Sequence, residues 1–508
     1  MSTHQHEESP ASATAGPSLT DESAPTPGTG RRRRTRASRA AVQAEIAQSR
    51  RGRTAAPDDA AGAGQEPRQG PSEGPPEGPP GQAAPASPDE GLDAPSAEPL
   101  LIAHPREGIP EVIEEEKALA EAASALACGS GPVALDAERA SGYRYGQRAY
   151  LVQLRRAGTG TLLIDPIACP DLSPISRVLE GVEWVVHAAS QDLPCLAEVG
   201  LHPQRLFDTE LGARLAGQPR VGLATVLEHY LNLTLAKEHS AADWSTRPLP
   251  EPWLRYAALD VEVLIELRDA VEADLDAQGK LAWAREEFDA LTDFTGPPQR
   301  VEPWRRLSGL HKIRSRRTLA VARELWWIRD EIARTRDISP GRIIPDTALV
   351  EIAQAAPGSV ADVVAATPNR SARRYAVHWL TASKKALAMP ESELPSRTLS
   401  ATGPPPPRVW ADRDPIAAHR LARARAAIAG LGQEYRVPVE NILAPDVLRR
   451  VMWEPPPAAL EAVREALAGR GARPWQVEIV APALVAALAG DDPADSEQEP
   501  QDNSDADQ

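Results

Sequence analysis

The stretch Pro132-Val133-Ala134-Leu135-Asp136-Ala137-Glu138 constrains this chain most. Side chains alternate faces along a β-strand, so Val133, Leu135 and Ala137 point one way and Asp136 and Glu138 together point the other. Two acids on one face at the end of an apolar strand repel each other and lose hydration, and a divalent cation between them relieves both costs. Acid pairs of this spacing also occur on ordinary solvated strand faces, so the meaning of Asp136 and Glu138 depends on what lies downstream.

The rest of the 508 residues leave room for two to four domains. Pro and Gly crowd into residues 1–98, which are also rich in Ser, Ala and charge and poor in aromatics. Such a segment buries too little apolar surface to offset its ordering entropy and is predicted to be a disordered tail. Inside it, Arg31 to Arg34 with Arg36, Arg39, Arg50, Arg51 and Arg53 form a basic block, readable as a solvated charge run or as an arm tethering nucleic acid. Residues 490–508 form an acidic tail, also predicted disordered.

The three cysteines, Cys128, Cys169 and Cys195, include no Cys-x-x-Cys pair, which argues against a disulfide framework or a thiolate zinc site and fits a reducing cytosol. No apolar run reaches membrane-spanning length and the N-terminus lacks a signal pattern, so a soluble, cytoplasmic protein is expected. A net charge of −16 excludes a uniformly basic coat but not a nucleic-acid enzyme, because the distribution of charge matters more than its sum.

Residues 99–293 read as a mixed α/β domain. A helix is predicted over Glu111 to Ala127, with strands at Tyr150 to Leu154, Thr161 to Ile164 and Glu183 to His187. Helices follow at Asp192 to Val199, Thr209 to Ala216 and Leu223 to Tyr230, and a long one runs from Pro252 to Leu275. Beyond Trp304 no strand pattern survives. Residues 302–388 form a helical domain with an apolar stripe through Leu319, Leu325, Ile328 and Ile332. After the linker Thr402-Gly403-Pro404-Pro405-Pro406-Pro407, residues 408–489 read as a diverged copy of that domain.

Two more acidic sites follow the first. Asp192 opens a helix just after a buried strand, where it can cap that helix or face a cleft at the strand ends. Tyr256 and Asp260, four apart, share one helical face. The order Asp-x-Glu, Asp, Tyr-x-x-x-Asp resembles the DEDDy branch of the DEDD 3′→5′ exonucleases. His187 to Leu193, Lys237-Glu238, Ser240 to Leu249 and Tyr256 to Val261 resemble the second and third motif regions of ribonuclease D. Ile338-Ser339-Pro340 and Ile343-Ile344-Pro345-Asp346 resemble the helicase-and-RNase-D C-terminal (HRDC) domain, of which some ribonucleases D carry two.

The resemblance implies a ribonuclease-H-like fold with a mixed five-stranded sheet, followed by two HRDC-like domains. It further implies that Asp136, Glu138 and Asp260 ligate one divalent metal, Mg²⁺ or Mn²⁺, and that Asp136 and Asp192 hold a second. Tyr256 would orient the attacking water. Hard cations want carboxylate oxygens, and two of them supply both an activated nucleophile and a stabilised leaving oxygen. His187, Trp244, Arg247, Tyr143, Arg314 and Arg317 are the candidate substrate contacts. For Trp244 a packing role, and for His187 a structural one, stand beside that reading. Tyr143, with Arg144 and Tyr145, could stack bases and hold phosphate, or form an ordinary exposed loop.

Arg314 and Arg317 belong to a basic cluster with Arg305, Arg306, His311, Lys312 and Arg316, suited to tracking a phosphate backbone. The expected activity is release of nucleoside 5′-monophosphates from the 3′ ends of structured RNA, as in transfer-RNA trimming. The alternatives are a DNA 3′→5′ exonuclease and an RNA-binding scaffold with a vestigial nuclease site. No membrane association and no obligate protein partner are expected.

Overall fold

The computed structural model describes residues 98–236, 241–398 and 403–490. The two tails with the Arg31 to Arg53 block, the motif residues Lys237, Glu238 and Ser240, and Thr402 at the start of the 402–407 linker lie outside the described residues.

A mixed six-stranded sheet forms the centre. Its strands are β2 (Val112–Ile113), β3 (Ser130–Arg139), β4 (Ala149–Ala157), β5 (Gly160–Ile164), β6 (Glu183–Val186) and β7 (Arg205–Asp208), in the order β2-β5-β4-β3-β6-β7. The middle pairings, β3 with β4 and β4 with β5, are antiparallel, and those outside them are parallel. The sheet has six strands where the resemblance implies five, and two of them, β2 and β7, lie outside the four strand runs read from the sequence; β2 is only two residues long, too short to alternate. It hides among Glu111, Glu114 and Glu115, which mimic the acidic first turn of a helix. The helix itself, α1, spans Glu116–Cys128. A separate parallel pair joins β1 (Leu100–Ile102) to β8 (Leu233–Leu235).

The alternation expected for β3 is what divides the domain into layers. Val133, Leu135 and Ala137 enter a core under α1, α2 (Ser173–Val178) and α3 (Leu193–Ala197). Ala134, Asp136 and Glu138 take the opposite face, which α6 (Glu251–Glu262) crosses together with β4 and β5. That helix follows α4 (Thr209–Leu215) and α5 (Leu223–Leu231). The single long helix expected from Pro252 to Leu275 is two, since Val263 leaves helical geometry (φ −120°, ψ 8°) and a new helix, α7 (Leu264–Ala277), starts after it. The break lets α6 cover the acidic face while α7 packs on α4 and α5.

The first helical domain has its own core, built on α9 (Arg316–Arg336), α10 (Pro340–Ile343), α11 (Asp346–Ala355), α12 (Val360–Ala365), α13 (Ser371–Arg374) and α14 (Ala376–Leu387). The second does not stand apart. Its helices, α15 (Trp410–Arg413), α16 (Pro415–Tyr435), α17 (Val439–Ile442), α18 (Pro445–Trp453), α19 (Leu460–Ala468) and α20 (Pro474–Ala489), share one continuous core with Phe207, Leu227, Val271 and Phe288 of the α/β domain. Phe288 comes from α8 (Leu281–Thr292), and Trp283 of that helix stacks on Trp475 at 4.7 Å. Among the described residues no helix is long and apolar enough to cross a membrane.

Candidate active site

Three segments far apart in sequence meet over the face of β3. One carboxylate oxygen each from Asp136, Glu138 and Asp260 lie within 4.8 Å of one another, and among the described residues this is the one group arranged to hold a metal ion. Asp260 comes from α6, one turn after Tyr256 on the same face of that helix, so the phenol lies beside its carboxylate. Asp192 stands beside the triple, close enough to Asp136 for the two carboxyl groups to repel each other. It occupies the cap position of α3, yet its side chain caps no backbone group of that helix, which leaves it turned toward the acids.

The turn that delivers Asp192 is held by Asp208. Ala188 lies in the left-handed region (φ 63°). The buried carboxylate of Asp208 accepts from the amides of Ala188 (3.0 Å) and Ala189 (2.9 Å) as well as from Glu210 and Leu211 in its own helix. In sequence, Phe207-Asp208-Thr209 carries only the signal of a helix cap. Arg139 was missed for another reason. Strict alternation would turn it away from Asp136 and Glu138, but the ladder shifts register between Glu138 and Arg139. Its guanidinium therefore reaches 3.4 Å from Asp192.

Burial, with repulsion among the acids, raises the pKa of Glu138, Asp192 and Asp260 well above the usual carboxylate range, and burial raises Asp136. Arg139 pulls Asp136, Glu138 and Asp192 back down in part. Burial beside the acids raises the Tyr256 phenol as well, so it stays protonated. Across the strand from Asp136, the fully buried side-chain amide of Gln153 has no protein partner for either polar atom. An all-oxygen donor set, crowded beyond its electrostatic comfort and flanked by an unsatisfied amide, fits hard divalent cations and their hydration.

Comparison with known proteins agrees with this geometry. Residues 110–276 match the family model of 3′-5′ exonuclease domains, 318–382 that of the HRDC domain, and 403–488 that of a 3′ to 5′ exonuclease C-terminal domain. Ribonuclease D of Jannaschia sp. is 32% identical over 52% of this chain and 71% of its own, and that of Escherichia coli K12 is 30% identical over 53% and 72%. The chain belongs to the ribonuclease D family. It is a 3′→5′ exoribonuclease with a ribonuclease-H-like domain, acting on RNA with two divalent metal ions as cofactor. A crystal structure of a protein from Bifidobacterium adolescentis superposes with a TM-score of 0.71 at 42% identity, over 77% of this chain and all of that one. The Escherichia coli RNase D structure does so at 0.56 and 26% identity, over 74% and 98%.

The candidate substrate contacts fare differently in this ribonuclease D fold. Trp244 is fully buried against Trp253 and lies under Tyr256, so it packs and cannot meet a nucleotide. Arg247 grips Asp165 with two contacts of 2.6 and 2.9 Å and donates to the carbonyls of Trp244, Thr246 and Tyr150, which uses its whole fork on the protein. Burial pushes His187 down to about 4, and its Nδ1 lies 2.9 Å from the Thr209 hydroxyl, a structural placement. Arg317 is spent on the Met389 carbonyl and on Glu391, closing the first helical domain. Arg314 is exposed and forms no ion pair with the described residues. Tyr143 lines a cleft of about 200 Å³ together with Glu138, Ala241 and Ala242.

Proposed function

We propose that Asp136, Glu138, Asp192, Tyr256 and Asp260 carry the hydrolysis, and that the enzyme trims 3′ tails of structured RNA precursors, transfer-RNA precursors among them, releasing nucleoside 5′-monophosphates. The convergence of Asp136, Glu138 and Asp260 within 4.8 Å supports this reading most directly. Asp136, Glu138 and Asp260 would hold one cation, and Asp136 with Asp192 the second. When bound, the pair supplies Lewis acidity at the attacking and leaving oxygens. Tyr256, kept protonated by its buried acidic surroundings, orients the incoming water as a hydrogen-bonding hydroxyl and does not take its proton. Exposed Arg306, Lys312 and Arg314, which form no ion pairs with the described residues, would attract the RNA backbone toward the cleft.

The structured-RNA reading draws on the Escherichia coli relative, whose structure is described as an exoribonuclease involved in structured RNA processing. We place the domain limits at 99–293, 302–388 and 408–489. The test incubates the full chain with 5′- and 3′-labelled RNA, a structured RNA with a 3′ tail, and matched DNA, with Mg²⁺, Mn²⁺ or EDTA. Mononucleotides should leave the 3′ label of RNA, stop at the structured body, and vanish with EDTA. In Asp136→Ala, RNA binding should persist while release falls by at least about a hundredfold. Equal digestion of DNA, or retained digestion by Asp136→Ala, would overturn the reading.

A further inference from the structure

The loop that follows β3 carries Tyr143 to the edge of the acidic cleft, and the first helical domain grips that loop at four places. The amide of Ser339 donates to the Tyr143 carbonyl (2.9 Å), and Arg342 Nε donates to the Gly142 carbonyl (2.8 Å). The Arg342 guanidinium lies 3.9 Å from the centre of the Tyr143 ring. Asp337 ends α9 in the left-handed region (φ 49°), and its carboxylate accepts from the amides of Tyr145 (3.3 Å) and Gly146 (3.4 Å). The Tyr145 hydroxyl donates to Asp330 (3.0 Å). On its other side the loop is tied to the approach to α6, where Arg144 Nε donates to the Ser245 hydroxyl at 2.7 Å.

These contacts are more specific than domain packing requires. Each reaches backbone, ring or hydroxyl atoms of one short loop, whose Gly142 and Tyr143 line the cleft beside Glu138. A loop fixed from behind presents its aromatic ring in a single pose, and a ring so placed meets a base without first losing conformational freedom. We propose that the first helical domain is a positioning element of the active site: the turn after α9 locks the 142–146 loop, so that Tyr143 stands as a fixed wall against which the 3′-terminal base stacks. Asp337 and Arg342 act through Tyr143 and are positioning residues. This rests on the exoribonuclease reading given above.

A double-mutant cycle on kcat/KM tests it, using the full chain and a single-stranded RNA substrate. Base–aromatic stacking predicts a loss of about tenfold for Tyr143→Ala. Arg342→Ala should lose a comparable factor, and that loss should largely disappear in the Tyr143→Ala background. Asp337→Gly keeps a residue that favours the left-handed turn while removing the acceptor, and its loss should likewise depend on Tyr143. Thermal melts show whether each variant folds. If Arg342→Ala costs the same factor in both backgrounds, and also flattens the salt dependence, Arg342 is an independent phosphate contact and the proposal fails. It fails too if Arg342→Ala and Asp337→Gly both retain wild-type kcat/KM. A wild-type protein that releases no mononucleotides from RNA would reject the exoribonuclease reading itself, before any variant is compared.

Discussion

Arg139 Nη2 lies 3.4 Å from Asp192 Oδ1, which sets a cation against the acidic cluster and lets four carboxyl groups coexist in one cleft before any metal binds. The pair is partly shielded, with side-chain exposures of 26% and 6%. Its worth falls between exposed and fully buried ion pairs, roughly 2 kcal/mol. Arg139→Gln should therefore destabilise the metal-free protein by about that amount. A divalent ion supplies the missing charge, so the loss should shrink once the site is loaded. Thermal melts with EDTA and with saturating Mn²⁺ measure both. A variant equally destabilised in the two conditions would mean that Arg139 serves packing alone.

Tyr256 stays protonated because ionising it would place a phenolate among half-buried carboxylates, and its own burial with Asp260 raises its pKa most. It follows that no tyrosine ionisation should limb the pH–rate profile below about pH 10. Tyr256→Phe keeps the ring over Trp244 and removes only the hydroxyl. We expect kcat to fall by about a hundredfold with little change in KM, the pattern of an interaction made in the transition state. Single-turnover kinetics on labelled RNA separates the two parameters.

Much of this site was legible in the sequence because strand and helix periodicities decide which side chains share a face. Alternation in β3 paired Asp136 with Glu138, and four-residue spacing in α6 paired Tyr256 with Asp260. What alternation cannot carry is its own interruption. The register shift after Glu138 swung Arg139 onto the acidic side, and only the fold reveals it. Asp208 is similar, since a helix cap and a brace for a distant turn need the same carboxylate. Trp244 and Arg247 sit in a motif region beside the cleft. Proximity in sequence made them plausible RNA contacts, whereas burial and the Asp165 ion pair commit both to the protein. The second helical domain showed helical pattern but no trace of the surface it shares with the α/β domain.

His187 gives a pH-dependent signature that follows from placement. Burial lowers its pKa from 6.5 to about 4, so between those values the unfolded chain binds more protons than the folded one. Stability therefore rises with pH across that window and is lost as pH falls from 6.5 toward 4, by roughly 3 kcal/mol in full. His187→Asn keeps a side-chain nitrogen near the Thr209 hydroxyl and cannot take up a proton, so it should flatten this part of the profile. Urea unfolding at several pH values across the window reads the difference. An unchanged slope, or a raised KM for RNA at neutral pH, would return His187 to the substrate side.

Trp475 tests how far the second helical domain belongs to the catalytic one. Its indole stacks on Trp283 with ring planes 16° apart, and its backbone and ring N–H groups donate to Glu286 and Glu287 at 3.0 Å each. Tyr435 meets the other edge of Trp283 at 5.3 Å, and the carbonyl of Arg436 presses so close to Gly217 that an added Cβ would lie 2.6 Å from it. Side chains from both domains therefore fill one apolar volume, and removing a large one from its middle should be felt on both sides. Trp475→Ala should cost about 3–5 kcal/mol through lost burial and the cavity left behind. Because the core is shared, the α/β and second helical domains should still unfold together, while the first helical domain, closed around Trp379 and Trp304, can melt on its own. Calorimetry of the wild type and the variant distinguishes these outcomes. If the second helical domain unfolded in a separate, earlier transition with the α/β domain unaffected, the shared core would not be acting as one cooperative unit.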